Sequence, residues 1–184
     1  MREITETEFG NGTLGRAFDY WNGIRGQSAW PMRRDLDPMD IGPALLPHSM
    51  LVDVDPVARN VRHRVVGTSF SDHFGRELTG TTLTEILSGS YLDFITELFM
   101  TSFERGAPIF SESRFRWDEG RLLRTWRLMM PLSRDGKSPD MSFVVQVFDQ
   151  TPPPPLPKVK LFERGAWNDI SERFSVFAVD AAVL

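Results

Sequence analysis

The sequence contains no cysteine. Disulfides, thiolate metal sites, cysteine nucleophiles and cysteine-linked flavin photochemistry are therefore excluded by chemistry. An excess of positive charge is also missing: 21 Lys and Arg stand against 25 Asp and Glu, a net charge of −4, with the two signs interspersed. A surface that grips a phosphate backbone needs the opposite balance, so no nucleic-acid partner is expected. No apolar run approaches the roughly 20 residues that cross a bilayer, and the start, M-R-E-I-T-E-T-E-F, lacks the basic-then-apolar layout of a signal peptide. The expectation is a cytoplasmic protein without membrane insertion. Histidine is scarce, with His48, His63 and His73 the whole supply, which narrows the room for imidazole-bound metal or haem.

What is present supports a folded core: 41% of the 184 residues are apolar, enough for one domain with additions at its ends. The chain divides into a flanking helix and linker over residues 1–40, a domain over 41–150, and a proline-rich spacer with a tail over 151–184. The organising stretch is Val61 to Gly80. Val61 to Gly67 reads as a half-buried strand, and Thr68 to Phe74 as a short helix with Phe70 and Phe74 on one side, Thr68 as its cap and Gly75 as its stop. Gly75 or Gly80 is expected to take a backbone conformation that disfavours a Cβ. The unit is too short for a parallel crossover, which favours an antiparallel sheet with small helices across it.

Upstream, Gly10 to Gly15 reads G-N-G-T-L-G, formally a dinucleotide-binding pattern, but the buried strand that must precede such a loop is missing. Leu14, Phe18, Trp21 and Ile24 then recur at helical spacing over about Thr13 to Arg25. This helix either covers an open sheet face or forms a homodimer contact with its copy, and the dimer contact is the expectation, together with Val144 and Phe148. Pro31 and Asp37-Pro38 mark a linker, Asp40 to Leu46 a further helical turn. His48 to Asp55 is a strand that pairs antiparallel with Val61 to Gly67. Leu83 to Leu87 is a brief apolar turn, and Tyr91 to Phe103 is an amphipathic helix with Tyr91, Phe94, Ile95, Leu98, Phe99, Ser102 and Phe103 on its buried stripe. Ile109 to Trp117, Leu122 to Leu132 and Met141 to Phe148 complete an antiparallel meander. Apolar groups fall on both faces of the last strand, so the second face needs a cover, and the N-terminal helix is the natural one. Pro152 to Pro157 is a stiff spacer, and the stretch holding Phe162, Trp167, Ile170, Phe174 and Phe177 reads equally as helix or strand.

This order of elements resembles a PAS domain, most closely a bacterial family of single-domain PAS proteins. Tyr20-Trp21, Pro31 with Arg33, Asp37-Pro38, Leu46-Pro47, Arg64 with Gly67-Thr68, and Phe74-Gly75-Arg76-Glu77-Leu78-Thr79-Gly80 carry the resemblance, which covers roughly residues 15–150. It implies an α+β fold with a five-stranded antiparallel sheet in the order 2-1-5-4-3, helices enclosing a pocket on one face, and a role in sensing or protein association. No kinase, cyclase or DNA-binding output segment is legible, so a signal would pass through a protein partner.

Haem-binding domains of this kind commonly take a histidine from the long helix, and Tyr91 to Phe103 has none; haem and flavin are disfavoured and no cofactor or metal is expected. Gly67-Thr68-Ser69-Phe70-Ser71 lacks the closing glycine of a nucleophile elbow. No paired carboxylates or oriented base are legible, so no catalytic residue is assigned; a small cavity enzyme using His63 and Arg124 is the rival from another class. If Val61, His63 and Val65 face inward with Leu122, Trp126, Leu128 and Met130, then Arg124 does so as well, alongside Ser111 and Ser113. The candidate pocket is therefore His63, Phe70, Phe74, Phe94, Leu98, Ser111, Ser113, Arg124 and Trp126. Buried polar groups require partners, which either a polar or anionic small molecule or an internal carboxylate beside Arg124 can supply. A non-enzymatic sensor or adaptor is the leading reading, and an interaction or dimerisation module without ligand the alternative.

Overall fold

Strand Met141–Phe148 carries buried apolar residues on both faces, and the sheet built around it is covered on both. A computed structural model describes residues 2–4, 12–118, 121–148 and 175–179. Its strands are β1 (Arg2–Ile4), β2 (Ser49–Asp55), β3 (Asn60–Val66), β4 (Ile109–Asp118), β5 (Arg121–Leu132), β6 (Met141–Phe148) and β7 (Ser175–Val179). They form one sheet in the order β1-β7-β4-β5-β6-β2-β3. The five strands from β2 to β6 pair antiparallel and, counted among themselves, give the order 2-1-5-4-3. β7 adds antiparallel to β4 and β1 parallel to β7, so two strands extend the β4 edge beyond the five expected. Phe177 thus belongs to a strand, whereas Pro152 to Pro157, Phe162, Trp167, Ile170 and Phe174 lie outside the described residues.

The helices are α1 (Gly12–Arg25), α2 (Pro38–Ile41), α3 (Thr68–Phe74), α4 (Leu83–Ile86) and α5 (Gly89–Arg105). Among the described residues no helix is long and apolar enough to cross a membrane. α5 buries Tyr91, Ile95, Leu98, Phe99, Met100 and Phe103 in a cluster with Phe70 of α3, Met50 and Val52 of β2, and Val144 and Phe148 of β6. A second cluster holds Leu14, Phe18 and Trp21 of α1 against Leu128, Met130 and Leu132 of β5 and Phe143 and Val145 of β6. Alternate side chains of β5 and β6 therefore enter different cores.

α1 is latched as well as packed. Trp21 Nε1 donates to the Pro131 carbonyl at 2.8 Å, and the Asp37 amide donates to Tyr20 Oη at 2.9 Å. The Asp37 carboxylate accepts from the Met39 amide at 2.8 Å, capping α2, where Pro38 needs no donor. Through these bonds the Tyr20-Trp21 and Asp37-Pro38 pairs together fasten α1 and its linker over the sheet.

Gly67, rather than Thr68, is the N-cap of α3. Its φ of −69° is ordinary, but a Cβ there would overlap the carbonyl oxygens of Leu46 and Pro47. The requirement is for space, since the Gly67 amide also donates to the Ser49 carbonyl at 2.8 Å. Gly75 closes α3 in the left-handed region, φ 65°, and Gly80 follows at φ 84°. Between them the Glu77 carboxylate accepts from the amides of Leu78 and Thr79. The turn then returns to β3, where the Gly80 amide donates to the His63 carbonyl and the His63 amide to the Thr81 carbonyl.

Candidate functional site

The pairing register fixes what lies on the face of the sheet beneath α5. Ser111 of β4 stands opposite Arg127 of β5, which stands opposite Gln146 of β6. One repeat along, Ser113 stands opposite Thr125, and Thr125 opposite Phe148. Since Val144 and Phe148 belong to the core beneath α5, residues two apart from them and their direct partners share that face. Two adjacent polar rows therefore cross the middle of this face of the sheet.

Arg127 is the centre of the first row and is only 5% exposed. Its Nε donates to Gln146 Oε1 at 2.8 Å, Nη1 to Ser111 Oγ at 3.4 Å and Nη2 to Tyr91 Oη at 3.2 Å. Every one of these partners is neutral, and no ion pair reaches Arg127 from the described residues. A guanidinium stays cationic in proteins, so a positive charge is buried here with hydrogen bonds but no counter-charge. In the second row Ser113 Oγ and Thr125 Oγ1 are buried and have no hydrogen-bond partner among the described residues. Beside them lies an aromatic group. Phe70 meets Phe148 edge-on at 5.7 Å between ring centres, and the His73 ring stacks on Phe148 at 4.0 Å.

The match of this site to the sequence expectations is partial. Ser111, Ser113, Phe70 and Leu98 are on the expected side and buried, with Phe74 and Phe94 partly buried beside them. His63 is also on that side, opposite Val52, but its Nδ1 hydrogen-bonds to the Thr81 carbonyl at 3.0 Å, and burial holds the imidazole below its ordinary pKa against that bond. It braces the 75–80 turn. Arg124 and Trp126 are on the opposite face, with Leu128 and Met130. Trp126 packs in the α1 cluster, and Arg124 pairs with Glu112 at 2.7 Å and covers the Trp126 ring at 4.7 Å. The internal carboxylate envisaged for Arg124 thus exists, on the wrong face for a pocket. His63 and Arg124 are consequently separated by the sheet and form no acid–base pair. Val65 does not follow His63 inward, because a bulge beside Leu51 and Val52 breaks the parity of β3 and leaves Val65 57% exposed. The Leu122 side chain lies outside the described residues.

The dimer stripe is corrected too. Leu14 and Trp21 are wholly buried and Phe18 nearly so within a single chain, and Ile24 packs partly against the same cluster. Their area is used by the chain's own sheet, so α1 is a lid. The outer face it covers carries Phe143 and Val145, whereas Val144 and Phe148 face α3 and α5. An open groove of about 490 Å³, bordered by Arg25, Trp30, Arg34, Asp35 and Asp135, gathers none of the expected site residues. No group of His, Asp and Glu suited to a metal ion occurs among the described residues.

A family model described as a PAS domain matches residues 11–144. The chain belongs to the PAS-domain family. The match takes in α1 and the linker, so the lid is part of what the family model recognises. No curated protein and no solved structure matches the chain. PAS membership makes this a sensory or signalling module, and within the PAS fold the two polar rows occupy the sheet face beneath the helices. Arg127, Gln146, Tyr91 and Thr125 are the residues the sequence reading left out of the site.

Proposed function

We propose that the chain is a non-enzymatic PAS sensor or adaptor that holds a small molecule between α5 and the polar rows of β4, β5 and β6. The observation that carries this reading is Arg127, buried among neutral partners beside the unpartnered hydroxyls of Ser113 and Thr125. Such groups lower stability unless something satisfies them, and they concentrate at binding sites for that reason. The site needs neither haem nor flavin to satisfy it, and it is read as working without either. The module is read as cytoplasmic, passing its signal to a protein partner. Association with a second copy would have to use a surface other than Leu14, Phe18 and Trp21, which are already buried.

Native mass spectrometry of freshly purified protein tests the reading. A reproducible added mass of a few hundred daltons, lost on denaturation, is expected. A bare chain under gentle conditions would instead favour an interaction module without ligand.

A further inference from the structure

The chemistry of the ligand can be narrowed from what the site offers and what it lacks. Arg127 uses one N–H at Nε, one at Nη1 and one at Nη2, which leaves a further N–H on each terminal nitrogen without an acceptor among the described residues. Ser113 and Thr125 add two buried hydroxyls able to donate. All of these groups call for an acceptor with more than one oxygen. The charge of the site limits which acceptor. Arg127 is the cation of the two rows; Ser111, Ser113, Thr125, Gln146 and Tyr91 are neutral, and His73, beside Phe148, is held below its ordinary pKa by burial. One guanidinium balances one negative charge, whereas a phosphate dianion would bring an uncompensated charge into a buried space. The wall beside Thr125 is aromatic, with Phe70 and His73 each packed against Phe148.

Resting on the pocket reading above, we infer that the ligand is a small monocarboxylic acid with an apolar body. Its carboxylate meets Arg127 and the hydroxyls of Ser113 and Thr125, and its body lies against Phe70 and Phe148. A carboxylate accepts from a guanidinium through both oxygens and restores the missing counter-charge. Its body excludes water from the same space.

The test is calorimetric titration of the full chain at neutral pH with benzoate, phenylacetate and hexanoate, and with the corresponding amides. At least one acid is expected to bind one-to-one and on the order of tenfold or more tighter than its amide. Arg127→Met, which keeps length and apolar volume, should abolish the acid-over-amide preference and leave amide binding within a few-fold. Ser113→Ala and Thr125→Val remove hydroxyls that support no other group among the described residues, so they carry the test if Arg127→Met does not fold; each should weaken the acid more than the amide. Equal binding of acid and amide, or an acid preference that survives Arg127→Met, overturns the inference. So does failure of all three acids to bind. The native mass spectrum separates these failures: a co-purified neutral molecule refutes the carboxylate and keeps the pocket, and a bare chain that binds none of the acids refutes both.

Discussion

Arg127 and Gln146 stand directly opposite each other on β5 and β6, and Arg127 Nε donates to Gln146 Oε1 at 2.8 Å. This bond supplies the one short contact of a buried guanidinium whose other partners, Ser111 and Tyr91, lie at 3.4 and 3.2 Å. The arrangement makes the charge tolerable without neutralising it. In the ligand-free protein, Gln146→Leu should therefore cost about 1–3 kcal/mol by stranding the Nε–H. Arg127→Met alone strands the buried Gln146 Oε1 and should cost a similar amount, whereas in that background Gln146→Leu should cost little, because the double replacement removes both partners. Urea denaturation of the four proteins in this double-mutant cycle reads the coupling; additive effects would mean that the two side chains act independently.

The burial of its apolar stripe against the sheet predicts that α1 is needed for folding rather than for assembly. Trp21 is fully buried and donates to the Pro131 carbonyl, so Trp21→Ala should cost about 3–5 kcal/mol. Phe18→Asp with Trp21→Ala should unfold the chain or leave it marginal, as followed by circular dichroism. A well-folded variant that has only changed its oligomeric state by light scattering would return α1 to an assembly role.

Two glycines near α3 should fail for different reasons. Gly67→Ala drives a methyl into the Leu46 and Pro47 carbonyls despite a normal φ, an overpacking cost of about 1–3 kcal/mol or more. Gly75→Ala has room but must sit at φ 65°, at about 1–2 kcal/mol. Thermal melts should rank Gly67→Ala as the more damaging.

Stability should fall with acid through histidine. Burial lowers the folded-state pKa of both His63 and His73 from the ordinary 6.5. The unfolded chain therefore takes up protons first. The contribution is fully present above about pH 6.5 and is lost as the pH falls toward the folded-state values, at up to about 1.4 kcal/mol per pH unit for His63 and less for the more exposed His73, whose charge solvent screens. Urea midpoints between pH 7.5 and 5.5 should show this slope, and His63→Gln should flatten it. An unchanged slope in that variant would mean that His63 contributes nothing to it.

The fold was legible because its signals agree with one another. The Val61 to Gly80 stretch states a strand, a glycine, a short helix and two turn glycines, and α3 has the expected bounds, Thr68–Phe74. The α5 stripe was read almost completely, with Met100 added and Phe94 only partly buried. The site was harder because α1 and the long helix cover opposite faces of the same sheet. Apolar Leu128 and Met130 then report burial without reporting which face they are on. The deciding signal was the hairpin. The register of β4 against β5 sets Ser113 against Thr125 and Ser111 against Arg127. The serines and Arg124 cannot then share a face. β7 had no such cue, since its pairing with β4 joins segments far apart in the chain.

The most direct measurement is an NMR titration of the labelled full chain with whichever of benzoate, phenylacetate and hexanoate binds tightest, following the arginine Nε–H signals and the backbone amides. The Arg127 signal, assigned by its loss in Arg127→Met, should move together with the amides of Ser113 and Thr125, while those of Phe143 and Val145 beneath α1 stay fixed. Shifts confined to the α1 face, or none at the Arg127 signal on saturation, would contradict the claim that the polar rows beneath α5 are the ligand site.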